Sequence, residues 1–443
     1  MAGSHRAQRG GSRAAAREAR RQKARKRNQT IAAGAAVVVL VGGGGVAALN
    51  AFGGDNAPGP KAGSAASDDK SSDSTVLADD KALLDATSAK PLGTTGAWAI
   101  TKTADGSTAP EKVFVCQSQR FADPAGLRTW VRTLQNSATK STAVQYVEVS
   151  DDKAAAAKAY SSIVGWLGQC SVAQTRLAAS YVTTGVGERG VIAIFRQPSG
   201  SKTQYKTVAV ALAGQATLVL EHDTVGAPPA PAPVLAAATA GLKKICAESG
   251  GCGTRAPVAK PSLLPSTDSP GFLAPVDLPV MDEIDKPWVS SPGAKTGAGT
   301  GCEKIDLKKA KATKSGTLTY VTPEAKVPTE FGLDDTVARF ATQAAASGWV
   351  EQIRKNVDGC EKAVSNATVE STGTISSGTI KGKSWQATYD TGGGKKFTYR
   401  IGVAGTGTTA VYVLFPVLKD LDLSDAAFNE TVTRAAERSA TYK

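Results

Sequence analysis

The chain has 443 residues, a formal net charge of +13, six cysteines and 41% hydrophobic residues. That length allows more than one domain, and the apolar content excludes a chain disordered throughout. Most of the charge is confined to one end, where ten basic side chains between Arg6 and Arg27 face the single acid Glu18. The rest is close to neutral and presents no basic face, so no nucleic acid is expected as a partner.

Residues 1–30 read as a basic cytoplasmic tail. Residues 31–52 carry no charged side chain, and a run of about 20 such residues can cross the hydrocarbon core as a helix. Retention of Lys and Arg on the cytoplasmic side puts the amino terminus inside and everything after Phe52 outside. An uncleaved single-pass signal-anchor in the cell membrane is favoured over a cleaved signal peptide, because the basic region is long and the small residues from Ala47 to Ala57 form weak cleavage sites. Gly43/Ala47 and Gly44/Ala48 have the small-xxx-small spacing that permits close helix packing. A homodimer through this helix is one expected partner arrangement, and cross-linking that captured only monomer would exclude it.

Residues 53–80 hold six acids, two lysines and many small residues; they cannot bury enough apolar surface to fold and read as a flexible spacer reaching about 30 Å.

Beyond the spacer the chain repeats itself. Cys116 and Cys170 are answered by Cys302 and Cys360, at offsets of 186 and 190, and Trp98 by Trp288, also at 190. A glycine-punctuated strand pair at Val208–Leu212 and Ala216–Leu220 returns at Phe397–Val403 and Thr409–Phe415. Two homologous modules follow, 81–253 and 271–443, joined by a linker at 254–270, each long enough for its own core.

In the first module Val113–Cys116 and Ala143–Val149 read as strands, and Asp151-Asp152 caps a helix toward Trp166. Val191–Arg196 and Thr207–Leu212 flank the turn signal Gln197-Pro-Ser-Gly200, Ala216–His222 follows, and Ala232–Ile245 closes as a helix. In the second, Thr317–Val321 is a strand and Asp334-Asp335 starts a helix running to about Val357. Ser384–Tyr389, Phe397–Val403 and Thr409–Phe415 are strands, and Ser424–Ala440 is the last helix. Hairpins interspersed with helices indicate an α+β fold, each module an antiparallel sheet with packed helices.

All six cysteines follow the apolar run, which fits an oxidising compartment. Duplication makes Cys116–Cys170 and Cys302–Cys360 equivalent bridges and leaves Cys246 with Cys252. The chain has no C-x2-C pair, and His222 is the only histidine after the apolar run, so no zinc site or other metal is expected.

The order strand–helix–Cys–hairpin–strand–helix, the early Trp segment and the membrane-anchored setting resemble the extracytoplasmic sensor domains of PknH-type actinobacterial serine/threonine kinases. The resemblance covers both modules and implies an extracellular ligand held in a groove lined by the sheet. It departs from the kinases in lacking a kinase domain, since 30 cytoplasmic residues cannot hold one. The second module also has two cysteines where the first has four.

Enzymatic readings fail one by one, and no cofactor is expected. Gly378-Thr-Ile-Lys-Gly-Lys-Ser384 has a three-residue spacer where a phosphate loop needs four. Ser137-Ala-Thr-Lys140 and Lys295-Thr-Gly297 imitate two motifs of penicillin-recognising enzymes, but the intervening Ser-Asp-Asn is missing. His222, at the end of a strand between two acids, reads as a solvated histidine rather than a general base. The acidic pairs Asp151/Asp152 and Asp334/Asp335 read as helix caps. Trp98, Trp288 and Trp385 are the candidates for a ligand groove, against core packing as the default for any tryptophan.

The expected function is therefore a membrane-anchored, extracytoplasmic binding or sensing protein of the cell envelope. It captures an unknown ligand or envelope protein through two duplicated modules and is not an enzyme. The alternative is a structural or scaffold protein contacting peptidoglycan or another membrane protein. Non-reducing peptide mapping should join Cys116 to Cys170 and Cys302 to Cys360; a Cys170–Cys246 bridge would show that the modules are stapled differently.

Overall fold

The computed structural model describes residues 77, 79–265, 269–281, 284–292, 299–324, 326–328 and 331–443. The tail, the expected membrane span 31–52 and nearly all of the spacer lie outside them. Among the described residues no helix is long and apolar enough to cross a membrane.

The first module runs β1 (Trp98–Asp105), β2 (Arg128–Asn136), β3 (Thr142–Val149), α1 (Lys153–Gly168), β4 (Arg176–Thr184), β5 (Arg189–Ser199), β6 (Lys202–Ala213), β7 (Ala216–Val225), α2 (Ala232–Ser249) and β8 (Val258–Pro261). The second runs β9 (Val289–Pro292), β10 (Lys314–Val321), β11 (Leu333–Arg339), α3 (Gln343–Asp358), the short α4 (Cys360–Ala363), β12 (Ala367–Ser377), β13 (Ile380–Asp390), β14 (Lys396–Thr406), β15 (Thr409–Val417) and α5 (Asp425–Ser439).

The first sheet has the order β1-β2-β3-β7-β6-β5-β4-β8, and the second, taken from β9, reads β9-β10-β11-β15-β14-β13-β12. The two orders superimpose strand for strand except for β8, and every pairing is antiparallel. The fold is α+β with two like modules, as the sequence implies.

Each sheet is covered on both faces, which explains the unbroken apolar runs in its central strands. Alternate residues of β6 part company. Ala209, Ala211 and Ala213 pack with Leu235, Leu242 and Ile245 of α2, while Val208, Val210 and Leu212 pack with Ile163, Val164 and Leu167 of α1. The second module repeats this, with Phe428 and Val432 of α5 on one face and Trp349 and Ile353 of α3 on the other. Glycine at 402 admits α5, because a Cβ there would stand 2.3 Å from Val432.

The disulfides are Cys116–Cys170, Cys246–Cys252 and Cys302–Cys360. The first and third are buried on the α1 and α3 faces, each tying the connection between its module's first two strands to the end of its helix. The middle one joins the last turn of α2 to the segment just after it, six residues on.

Local readings fail where a side chain takes over backbone hydrogen bonding. Val113–Cys116 is a loop rather than a strand. Cys116 has φ 65°, the Val113 amide donates to Gln117 Oε1 at 2.6 Å, and the Val115 amide donates to Glu221 Oε2 at 2.6 Å. Asp334-Asp335 does not start a helix; both residues lie in β11, and Asp335 is fully buried. The helix is capped instead by Thr342, whose hydroxyl accepts from the Ala345 amide at 3.2 Å. Asp152 does the same for α1 at 2.7 Å, 190 residues earlier. The segment read as linker contributes β8, paired with β4, and the last spacer residues are folded. Leu77 is buried, its carbonyl accepting from Trp130 Nε1 at 3.0 Å.

Equivalent buried positions carry different polar groups. Gln145 Oε1 accepts from the Leu84 amide at 2.6 Å, and Asp335 Oδ2 accepts from the Leu273 amide at 3.0 Å. Burial raises the Asp335 carboxyl to about 7, with Asp277 and Asp334 adding to the rise against the Leu273 hydrogen bond. His222 is not solvated; it is buried, 4% exposed, with Trp98 edge-on to its ring at 5.8 Å. Its counterpart on β15 is Phe415, packed edge-on against Phe331. Burial lowers the His222 pKa to about 4, with Asp223 opposing.

The two groups act on stability with opposite signs. His222 binds its proton more readily in the unfolded chain, so its contribution is full above about 6.5 and is lost as pH falls toward about 4. Asp335 binds its proton more readily when folded, so its contribution is full below 3.8 and is lost as pH rises through about 7. Chemical unfolding should therefore show His222→Phe losing less stability than the parent between pH 7.5 and pH 5, by about 2 kcal/mol. Asp335→Asn should exceed the parent in stability at pH 8, with the advantage shrinking toward pH 4.

Candidate functional site

The modules meet along the segment between β8 and β9. Leu264, Ala274 and Val276 belong to the α1-face core of the first module, whereas Leu278, Met281, Ile284 and Trp288 belong to the core of the second. The chain crosses α1 at Gly168, where a Cβ would fall 2.0 Å from the Pro265 carbonyl oxygen; only glycine fits there.

One buried cluster fixes the crossing. Arg438 on α5 donates through Nε to Asp277 Oδ2 at 2.7 Å, through Nη2 to Oδ1 at 3.1 Å, and through Nη1 to the Leu264 carbonyl at 2.6 Å. Asp277 also accepts from the Ala274 amide at 2.8 Å, so both ions are well satisfied. Two further contacts join the modules. Gln174 Nε2 donates to the Met281 carbonyl at 3.2 Å and to the Ile284 carbonyl. Arg176 of β4 stands 3.2 Å from Glu430 of α5.

A cleft of 360 Å³ opens beside these contacts. Arg196 of β5 lines it from the first module, and Asp420, Asp422 and Ser424, from the connection between β15 and α5, line it from the second; Pro279, Val280 and Met281 also contribute. The charges are not equivalent. Asp422 is held by Arg400, with Nε to Oδ1 at 2.7 Å and Nη2 to Oδ2 at 3.0 Å, and Arg400 also reaches Asp425 at 2.5 Å. Ser424 is occupied as the cap of α5, accepting from the Ala427 amide at 3.2 Å. Asp420, in the left-handed turn position that aspartate tolerates, has no ion pair or hydrogen bond among the described residues. Neither has Arg196, for which no described carboxylate lies within 4.0 Å.

Arg176 and Arg196 are direct cross-strand partners, which puts their side chains on the same face of the sheet. Arg176 is 1% exposed; its Nε has no hydrogen-bond partner, and its Nη1 is the atom that meets Glu430. Burial lowers its pKa to about 10, Glu430 opposing and Arg196 reinforcing the fall. This edge of the first module thus holds two neighbouring guanidinium groups with one glutamate.

The three tryptophans chosen as groove candidates are all buried. Trp98 donates to the Gly93 carbonyl at 3.1 Å and Trp288 to the Pro279 carbonyl at 2.9 Å, equivalent contacts that pin each module's lead-in segment. Trp385 donates to Asp358 Oδ1 at 2.6 Å. Only Trp288 borders a hollow between the modules, a second one of 20 Å³, room for about one water. The pairs do not converge: Asp151/Asp152 lie at the start of α1 and Asp334/Asp335 in β11. Ser137–Lys140 forms the β2–β3 turn, Gly378 the β12–β13 turn, and Lys295–Gly297 lies outside the described residues. No group of three or more His, Cys, Asp or Glu able to hold a metal occurs among the described residues. The sequence reading passed over Arg176, Arg196 and Asp420. The available signal was a charged residue bounding an apolar strand, as Arg196 bounds Val191–Phe195, but many surface residues share it.

No protein-family model matches the chain, and no curated protein matches it.

Replacing Arg438 by Met should leave Asp277 buried and unpaired, costing about 3–5 kcal/mol in urea unfolding. Pairing that change with Asp277→Leu should restore most of the loss.

Proposed function

We propose that this is a non-catalytic binding protein of the cell envelope, anchored by residues 31–52, which captures its ligand in the cleft between its two modules. The observation that carries the reading is the cleft itself: 360 Å³ of space, in the size range of small-molecule sites, with ionic groups left without protein partners. Those groups are Arg196 and Asp420; the buried Arg176, cross-strand neighbour of Arg196, is paired with Glu430 and keeps only its Nε without a partner. Three disulfides support an oxidising compartment. The residues lining the cleft include no His, Cys or Lys, and its serine is committed to a helix cap, which supports capture rather than chemistry.

Thermal unfolding of the full chain in detergent micelles, against envelope lipids, glycans and peptidoglycan fragments, tests this. A ligand at a hundred times its dissociation constant adds about 2.7 kcal/mol, several degrees for modules of this size. Val280→Trp, which fills the cleft from a half-buried position, should abolish the shift and leave the unliganded melting temperature unchanged. A ligand shift that survives Val280→Trp would place binding elsewhere and defeat the reading.

A further inference from the structure

From the charge arrangement in the cleft we infer its ligand class, an inference that rests on the cleft being the binding site. It takes a zwitterion, an amino acid or short peptide carrying both a free carboxylate and a free ammonium group. The carboxylate meets Arg196 and the ammonium meets Asp420.

The argument begins with what the protein leaves uncompensated. Of the charged groups lining the cleft, Asp422 is neutralised by Arg400, while Arg196 and Asp420 have no ionic partner among the described residues and come from different modules. An anion alone would satisfy Arg196 and leave Asp420 facing added negative charge; a cation alone would do the reverse. A molecule with both charges satisfies both at once, and a planar carboxylate suits the guanidinium fork, which can bind it through two parallel hydrogen bonds. The buried Arg176, cross-strand neighbour of Arg196, is already paired with Glu430, so Arg196 alone carries the uncompensated positive charge of the first module here. In the second module the Asp422 and Asp425 carboxylates share one arginine, leaving a net negative charge beside Asp420. The cleft therefore holds one uncompensated charge of each sign, one from each module, as a zwitterion requires.

Size and lining agree. A space of 360 Å³ accommodates a ligand of one to a few residues. Pro279, Val280 and Met281 supply apolar lining, suited to small aliphatic side chains.

Isothermal titration of the full chain in micelles with alanine, alanylalanine (L,L and D,D) and tetra-alanine tests the inference and separates a free amino acid from a peptide as the source. N-acetyl-alanylalanine and alanylalanine amide each lack one charge. The expected result is binding of a zwitterionic probe, at least tenfold weaker once either end is blocked. Arg196→Gln should weaken the zwitterion at least tenfold and erase its advantage over the amide. Asp420→Asn should erase its advantage over the acetylated form. Equal affinity for the blocked forms, no binding by any alanyl probe at millimolar concentration, or a zwitterion indifferent to both substitutions overturns the zwitterion assignment. If an uncharged or singly charged ligand from the envelope panel still binds and is displaced by Val280→Trp, the cleft stands as the site and only its ligand class is wrong.

Discussion

The relation between the two modules depends on one buried ion pair, Arg438 with Asp277, closed off by the Leu264 carbonyl and the Ala274 amide. Two ions removed from water incur a large desolvation cost, which only complete hydrogen bonding offsets; here the carboxylate accepts from three donors. The pair ties the last helix of the second module to a segment whose neighbours, Leu264, Ala274 and Val276, sit in the core of the first. Rotating one module against the other would pull an ion from its partner inside a low-dielectric interior. The cleft is a consequence of that fixed relation, since Arg196 and Asp420 belong to different modules and hold position only while the crossing does.

Duplication supplied the architecture and divergence supplied the differences. Both copies keep the central strand order, the helix cap 190 residues apart, the long disulfide and the tryptophan that pins the lead-in segment. What changed is polar and buried: Gln145 against Asp335, and His222 against Phe415. In the first module Lys206 bridges Glu221 and Asp223 at 3.0 and 2.9 Å, with Glu221 raised by burial; the matching positions of the second hold Tyr399, Leu414 and Pro416. Such exchanges keep the backbone path while altering how each module responds to pH.

The residues weighed from sequence and those lining the cleft differ for a physical reason. Tryptophans attract notice because they are large and few, but a large apolar ring with one N–H donor is best satisfied inside a core with a single carbonyl or carboxylate acceptor. Trp98, Trp288 and Trp385 each adopt that arrangement. Arg196 and Asp420 have no distinguishing local context. They become notable only when the fold is seen to leave them without partners.

The α+β class, the central hairpins, the duplication and the disulfide pairing were legible in the sequence, because periodicity, turn residues and cysteine spacing are local or repeat at a fixed offset, whereas strands such as β1, β2, β4 and β12 went unread. Two elements were misread because distant side chains replace backbone partners: Val113–Cys116, answered by Glu221, and Asp334-Asp335, one of which answers Leu273; the linker was misread because β8 forms only by pairing with β4. The chain by itself thus determined two like α+β modules stapled for an oxidising compartment. Only the tertiary structure decided how the modules meet, because Asp277 and Arg438 are 161 residues apart and no local pattern records that an acid and a base so distant will be buried together.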